Sequence, residues 1–318
     1  MILHKLNRDF PNACEHLVGM DSHVKKMMNL CGTVLDGVRF IGIWGMGGIG
    51  KTTLAYFIYK RICHQFEASS FIYYVRETVE KHGIVYLQKQ LLSEAFMEKE
   101  ANIWNHHVGI GLLKKRLPTK KVLLIVDDVD KYEQLQALAR NHDWFSHESR
   151  IIVTTKDKHL LEMYRVDYIY RVEGLANDKS LELFSLTMFN KTTPRKEFLD
   201  LSKGFVKYTK GLLLALKVLG SSLICKTRSV WENYLDQLKE NHDREILDTL
   251  EIGYKGVKDT VKNLFLDIAC FFKGEDKDRV VDIKGSSCYM DLETLNDKSL
   301  ITILGRKLWM HNLLQEMG

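Results

Sequence analysis

Proline is scarce in this chain: three residues in 318 (Pro11, Pro118, Pro194), which excludes Pro-rich linkers and favours a helix-rich body. The six cysteines (Cys14, Cys31, Cys63, Cys225, Cys270, Cys288) form no CxxC pair. A disulfide scaffold does not fit that size and spacing, and reduced thiols in an intracellular protein are expected. No sign of charge dominates. Lys plus Arg number 46 against 41 acids, a net of +5. That surplus is too small, and too evenly spread, to mark a polyanion binder. Long apolar runs are absent too. Leu212–Cys225 is cut by Lys217 and is too short to span a bilayer, and the opening MILHKLNRDFPNAC has no signal-peptide core. What remains is 45% hydrophobic and 27% charged, ordinary globular composition. The length suggests roughly two or three domains or subdomains.

Residues 39–44 (RFIGIW) are a short apolar run ending at Gly45, followed by a glycine-rich turn and a helical pattern over 52–64. Further strands are expected at 70–75, 122–126, 150–154 and 168–172, with helices at 84–96, near 110–117, 132–140 and 157–164. The 122–126 run (VLLIV) is wholly apolar rather than alternating, which suits a strand buried on both faces of a parallel sheet. Strands alternating with helices give βαβ units. After Glu173 the pattern is helical: 178–190, 196–209, 212–223, 230–239 and 246–272. LITIL and KLWMH then flank Gly305-Arg306 as a hairpin, so helices plus a two-stranded wing suggest a winged-helix-like unit. The fold class expected is α/β: a P-loop parallel sheet flanked by helices, then a helical subdomain, then a winged-helix-like subdomain. No internal repeat is evident. The five tryptophans are expected in cores or at subdomain interfaces.

Gly45-Met46-Gly47-Gly48-Ile49-Gly50-Lys51-Thr52 fits GxxxxGK[ST] between a strand and a helix, the context that pattern requires. The glycines let successive backbone N–H groups turn towards an anion, and the helix adds its positive N-terminal end. Lys51 is expected to reach the β- and γ-phosphates, and the Thr52 hydroxyl to coordinate Mg²⁺. Mg²⁺ needs another hard oxygen. Strand 122–126 delivers Asp127 at its carboxyl end, where open α/β sheets bind ligands. Asp128 either polarises a water, as the catalytic residue, or acts as a helix cap or solvated carboxylate. Asp130 is expected to cap the 132–140 helix. Lys156, just past strand 150–154, either senses the γ-phosphate or is a surface lysine. Neither Thr155-Lys156-Asp157-Lys158 nor Asn190-Lys191-Thr192-Thr193 fits the guanine-reading NKxD pattern, which leans towards adenine.

HLVGM (16–20), GMGGIGKTT (45–53), VLLIVDDVD (122–130), SRIIVTTKDKHLL (149–161), GLLLAL (211–216), FLDIACFF (265–272) and MHN (310–312) stand in the order and spacing of NB-ARC proteins. Over about residues 11–318 the chain resembles the nucleotide-binding core of plant TIR-type NBS-LRR immune receptors, members of the STAND ATPases. Asp130 and FLDIACFF resemble the TIR class rather than the coiled-coil class. The resemblance implies a linker (1–15), a P-loop nucleotide-binding domain (16–172), a helical ARC subdomain (173–243) and a winged-helix ARC subdomain (244–318). It implies ADP/ATP and Mg²⁺ as ligands. Val18 would line the adenine pocket, and Gly47, Gly48, Ile49, Gly50, Lys51, Thr52 and Thr53 would cradle phosphates. Leu213 would bring the helical subdomain to the nucleotide. His311 would contact the β-phosphate of ADP and hold the winged-helix subdomain closed.

The chain departs from the family at Lys156 (usually Arg), Leu213 (the proline of GLPLAL) and Asn312 (the aspartate of MHD). The function implied is a switch. ADP holds it closed, ATP exchange lets it open and self-associate for defence signalling, and slow ATP hydrolysis resets it. TIR and leucine-rich-repeat domains are expected in full-length family members, and a cytoplasmic or nucleocytoplasmic location follows, without membrane or nucleic-acid partners. Two alternatives come from other classes. A metabolic P-loop kinase or constitutive ATPase would need a second catalytic cluster. A nucleic-acid regulator would need a basic wing, and the wing carries only Arg306 and Lys307.

Overall fold

The computed structural model describes residues 18–32, 37–98, 101–240, 250, 254, 257–311 and 314–315. The 1–15 linker, Asn312 and most of 246–256 lie outside the described residues. Five parallel strands form one sheet: β1 (Arg39–Trp44), β2 (Ala68–Ile72), β3 (Val122–Val129), β4 (Arg150–Thr155) and β5 (Tyr168–Arg171), in the order β2-β3-β4-β1-β5. β4 therefore lies between the strand that leads into the glycine turn and the strand that carries Asp127. Ile43 pairs with Thr154 and Trp44 with Thr155, while Val126 pairs with Val153. The β3–β4 register then slips between Val126 and Val129, so Asp127 and Asp128 occupy a bulge, a device that re-aims side chains next to sites.

The first described helix, α1 (Asp21–Cys31), precedes β1. Arg150 is fully buried beneath it and donates to the carbonyls of Cys31 (3.0 Å), Gly32 (2.9 Å) and Gly37 (2.9 Å), tying the end of α1 to the sheet. The other connections carry α2 (Lys51–Ile62), α3 (Val75–His82), α4 (Ile84–Phe96), α5 (His106–Arg116), α6 (Tyr132–Leu138) and α7 (Lys158–Tyr164). The expected strand at 70–75 is shorter than its sequence suggests. β2 ends at Ile72, Tyr74 turns left-handed (φ 50°), and α3 begins at Val75. Tyr73 and Tyr74 are strong β-formers by type, yet Tyr73 folds back to stack on Phe71 at 3.8 Å.

Four helices follow: α8 (Asn177–Phe189), α9 (Leu199–Thr209), α10 (Leu213–Leu223) and α11 (Arg228–Glu240). They close around Trp231, which is ringed by Phe184, Phe189, Phe198 and Phe205. The third unit contains α12 (Asp259–Asp267), a π-helical turn (Ile268–Phe272), α13 (Lys277–Lys284), α14 (Cys288–Asp297) and the hairpin β6 (Thr302–Leu304) and β7 (Lys307–Trp309). One apolar cluster runs without interruption from α1, α2 and one face of the sheet into this third unit, from Met27 and Tyr56 to Phe265 and Leu292. Trp44 and Trp309 are half-buried, and Trp144 and Trp231 are buried. Trp104 departs from expectation at 72% exposed. Among the described residues no helix is long and apolar enough to cross a membrane.

Candidate nucleotide-binding site

The site is built at the carboxyl end of β1. Gly45 has φ 154°, and a Cβ there would lie 2.9 Å from the Val172 carbonyl oxygen. Gly50 caps α2 at φ 104°, and a Cβ would meet Leu213 Cδ2 at 3.3 Å and Met20 Cε at 3.6 Å. Only glycine takes both the left-handed angle and the close approach without strain. Between them, Gly47 and Gly48 are half-buried, whereas the Ile49 side chain is buried in the core cluster and leaves only its backbone to the loop. Lys51, 8% exposed, donates from Nζ to the carbonyls of Gly45 and Met46, both at 2.9 Å. Burial pushes its pKa down to about 8. Asp128 and Asp127 oppose that shift, and Lys156 adds to it. The ammonium stays charged at neutral pH. Thr53 follows on α2, half-buried.

Asp127 is fully buried. Its Oδ1 accepts from Thr52 Oγ1 at 2.9 Å and from Thr154 Oγ1 at 2.6 Å. Its Oδ2 has no hydrogen-bond partner. Burial raises the carboxyl pKa to about 6, against the two threonine hydrogen bonds. A buried carboxylate oxygen without a partner is costly in an otherwise satisfied interior. Thr52 points its hydroxyl proton at Asp127, which leaves its oxygen lone pairs for another acceptor-seeking group. Residues Thr52 and Asp127 thus fit a small hard cation.

Thr154 joins the neighbouring strands: its hydroxyl donates to Asp127 and accepts from the Asp128 N–H at 2.9 Å. Asp128 sits in the bulge with φ 57°. It caps no helix. Lys131 is the cap of α6, and Asp130 instead accepts from Gln134 Nε2 at 2.7 Å. The Asp128 carboxylate pairs with Arg76 Nε of α3 at 3.5 Å. Arg76 escapes sequence reading because nothing near it in the chain resembles a phosphate motif.

Three more segments converge here. Leu214, in the first turn of α10, donates its N–H to the Gly48 carbonyl at 3.2 Å, and Leu213 contacts both the sheet-side cluster and the Trp231 cluster. Val18 packs against the Trp231 cluster. Lys156 is exposed just beyond β4, within electrostatic range of Lys51 and His311. His311 is exposed, with protein packed around its ring. Burial first, then Lys156, Lys51, Lys273 and Arg76, hold its imidazole well below the usual value and therefore neutral at pH 7.

Residues 21–194 match the NB-ARC domain, and residues 257–318 match the winged-helix domain of Roq1-like disease resistance proteins. The disease resistance protein RUN1 of Vitis rotundifolia is 41% identical over 311 residues, covering 96% of this chain and 23% of that protein. The TMV resistance protein N of Nicotiana glutinosa is 41% identical over 316 residues, covering 96% and 27%. The chain therefore spans about a quarter of the length of these relatives. A STAND protein with a tetratricopeptide repeat sensor from Pyrococcus horikoshii superimposes with a TM-score of 0.60 at 17% identity over 95% of this chain and 42% of that one, a likeness of fold. With more than half of its residues matched and the P-loop geometry in place, the chain is a nucleotide-binding protein of the NB-ARC family.

Proposed function

We propose that this chain is the ADP/ATP switch of a plant intracellular immune receptor. The observation that carries the reading is convergence. The P-loop, the start of α10 and His311 come from three parts of the chain, and they meet around one phosphate cradle through the Leu214–Gly48 hydrogen bond, the Leu213 side chain beside Gly50 and the Lys51–Lys156–His311 field. A ligand bound by all three parts favours their closed arrangement by its differential affinity for it. In this reading Lys51 and the loop N–H groups hold the phosphates, and Val18 and Leu213 flank the adenine. Neutral His311 offers a hydrogen bond to a β-phosphate, and Lys156 marks the place of a third phosphate. Thr52 and Asp127 hold Mg²⁺, which when bound neutralises phosphate charge. Asp128, held by Arg76 and by the Thr154 hydrogen bond to its N–H, is positioned to orient water for slow hydrolysis.

The organisation proposed is a P-loop domain (16–172), a helical subdomain (173–243) and a winged-helix subdomain (244–318). TIR and leucine-rich-repeat domains supply signalling and recognition in the full-length receptor, and the opened form self-associates in the cytoplasm or nucleocytoplasm. The nucleic-acid alternative gains no support from the wing: Arg306 pairs with Asp276 at 3.2 Å and also with Asp278.

The test is nucleotide content. Purified protein is denatured and the released nucleotide identified by chromatography. About one ADP per chain is expected. A well-folded protein that releases no nucleotide, and binds none when titrated with Mg·ADP, overturns the reading.

A further inference from the structure

The P-loop domain and the winged-helix unit meet at a second place, away from the phosphates. Glu77 of α3 forms an ion pair with Lys273, which follows the π-helical turn. The two positions are 196 residues apart. Lys273 is buried at 4% exposed and Glu77 largely so at 12%. Lys273 Nζ also donates to Gln315 Oε1 at 2.8 Å, and Gln315 Nε2 donates to the Ala269 carbonyl at 2.8 Å. One turn along α3, Lys81 Nζ donates to the Lys273 carbonyl at 2.7 Å. At the other end of the helix, Tyr74 stacks on Trp309 of the wing at 4.7 Å.

Geometry gives these contacts a common carrier. Glu77 and Lys81 are four residues apart and share a face of α3. Arg76, about 100° around the same helix, reaches Asp128 in the site. One short helix thus touches the nucleotide site on one side and the winged-helix unit on the other.

We propose that Glu77 and Lys273 form a latch that holds the winged-helix unit shut over the nucleotide site. The proposal rests on the switch reading above. A buried ion pair suits this work. Closed, each charge compensates the other. Parted, both are rehydrated, so the pair sets where the two bodies meet without welding them. Removing one partner strands the other charge in the closed state and not in the open one. The α3 helix then links the latch to Asp128 through Arg76.

The test uses the 318-residue chain loaded with fluorescent ADP, with release kinetics and the radius of gyration from small-angle X-ray scattering measured together. Glu77→Lys and Lys273→Glu should each speed ADP release by ~10-fold or more and enlarge the particle. The double exchange Glu77→Lys/Lys273→Glu should return both readouts to within about threefold of wild type in rate and to the compact radius. Glu77→Gln, which keeps a hydrogen bond and loses the charge, should fall between. Single variants with wild-type release and radius overturn the latch. So does a double exchange as open as the singles, because a merely structural role would not be rescued by swapping charges. A wild-type chain that retains no ADP fails the switch reading instead, and the radius of the same four variants still decides the latch.

Discussion

The two sides of the cleft are built from different materials. The phosphate side is backbone, short side chains and the Lys51 ammonium tethered to the loop: glycines, two threonine hydroxyls and one fully buried carboxylate, with Asp127 tied to Thr52 and Thr154 within 3 Å. The facing side is long side chains from distant segments: Arg76 and Lys156 from the edge of the P-loop part, His311 and Lys273 from the third unit. Strand pairing holds the first side, and it cannot move without breaking the sheet. Ion pairs, an aromatic stack and the apolar cluster shared with α1 and α2 hold the second; water can replace its polar contacts at little net cost, though not its apolar ones. A switch needs one such part of each kind, a fixed cradle and a removable cover.

That contrast can be broken from the cradle side. Lys51→Met removes the ammonium that two loop carbonyls hold in place. Charge-assisted hydrogen bonds contribute about 1.5–3 kcal/mol, so ADP affinity measured calorimetrically should fall by roughly a hundredfold, while scattering of the free protein stays unchanged. Gly50→Ala tests the cradle's shape. A left-handed alanine costs about 1–2 kcal/mol, with Leu213 Cδ2 only 3.3 Å from the new methyl. Chemical denaturation should show that loss, and the Leu213→Ala background should relieve part of it.

A subtler separation uses Asp127→Asn. The folded carboxyl, at about 6, is a weaker acid than the unfolded one. Ionisation therefore costs the fold stability above pH 6 and nothing below the unfolded value. With chelator present, the asparagine variant should be more stable than wild type at pH 7, by at most about 3 kcal/mol and less by whatever its unpartnered amide costs. The gap should close as the pH falls below 6, while Mg²⁺ no longer strengthens nucleotide binding. A wild-type advantage at pH 7 would contradict the burial argument. The smallest effect is expected at the seam between the two sides. Leu212 precedes α10 at φ −77° and ψ 117°, a conformation compatible with a following proline, and Leu213 is the first helical residue. Leu213→Pro should keep the helix by circular dichroism and shift stability by no more than about 1 kcal/mol.

The same division decides what could be read from sequence. The phosphate loop is contiguous, so its spacing carries its chemistry. The strands at 39–44 and 150–154 follow from local pattern, as do Thr52 and Asp127 as candidate residues, whereas the hydrogen bond that joins them across 75 positions does not. The parallel sheet follows from the alternation of strand and helix. The contacts between the two sides are not contiguous. Arg76 and Glu77 lie on an eight-residue helix with only Val75 buried, too short and polar for periodicity to reveal, behind two tyrosines that imitate a strand. Nothing local marks Lys273 or Gln315. Their meaning comes from partners nearly two hundred or more than forty positions away. Asp128 shows a third kind of limit. Its identity was legible, but not the bulge that gives it a left-handed backbone and points it at Arg76.

The two hydroxyls on Asp127 have a consequence for ion selectivity. Both hydrogen bonds fall on Oδ1, so the carboxylate has only Oδ2 left to offer. Large divalent ions such as Ca²⁺ take six to eight oxygens and often grip a carboxylate with both, while Mg²⁺ needs a small octahedral shell and is content with one. Thr52 and Thr154 therefore do more than orient an acid. By occupying one oxygen they would leave a bound cation a single carboxylate oxygen, an arrangement that suits Mg²⁺ better than a bidentate Ca²⁺.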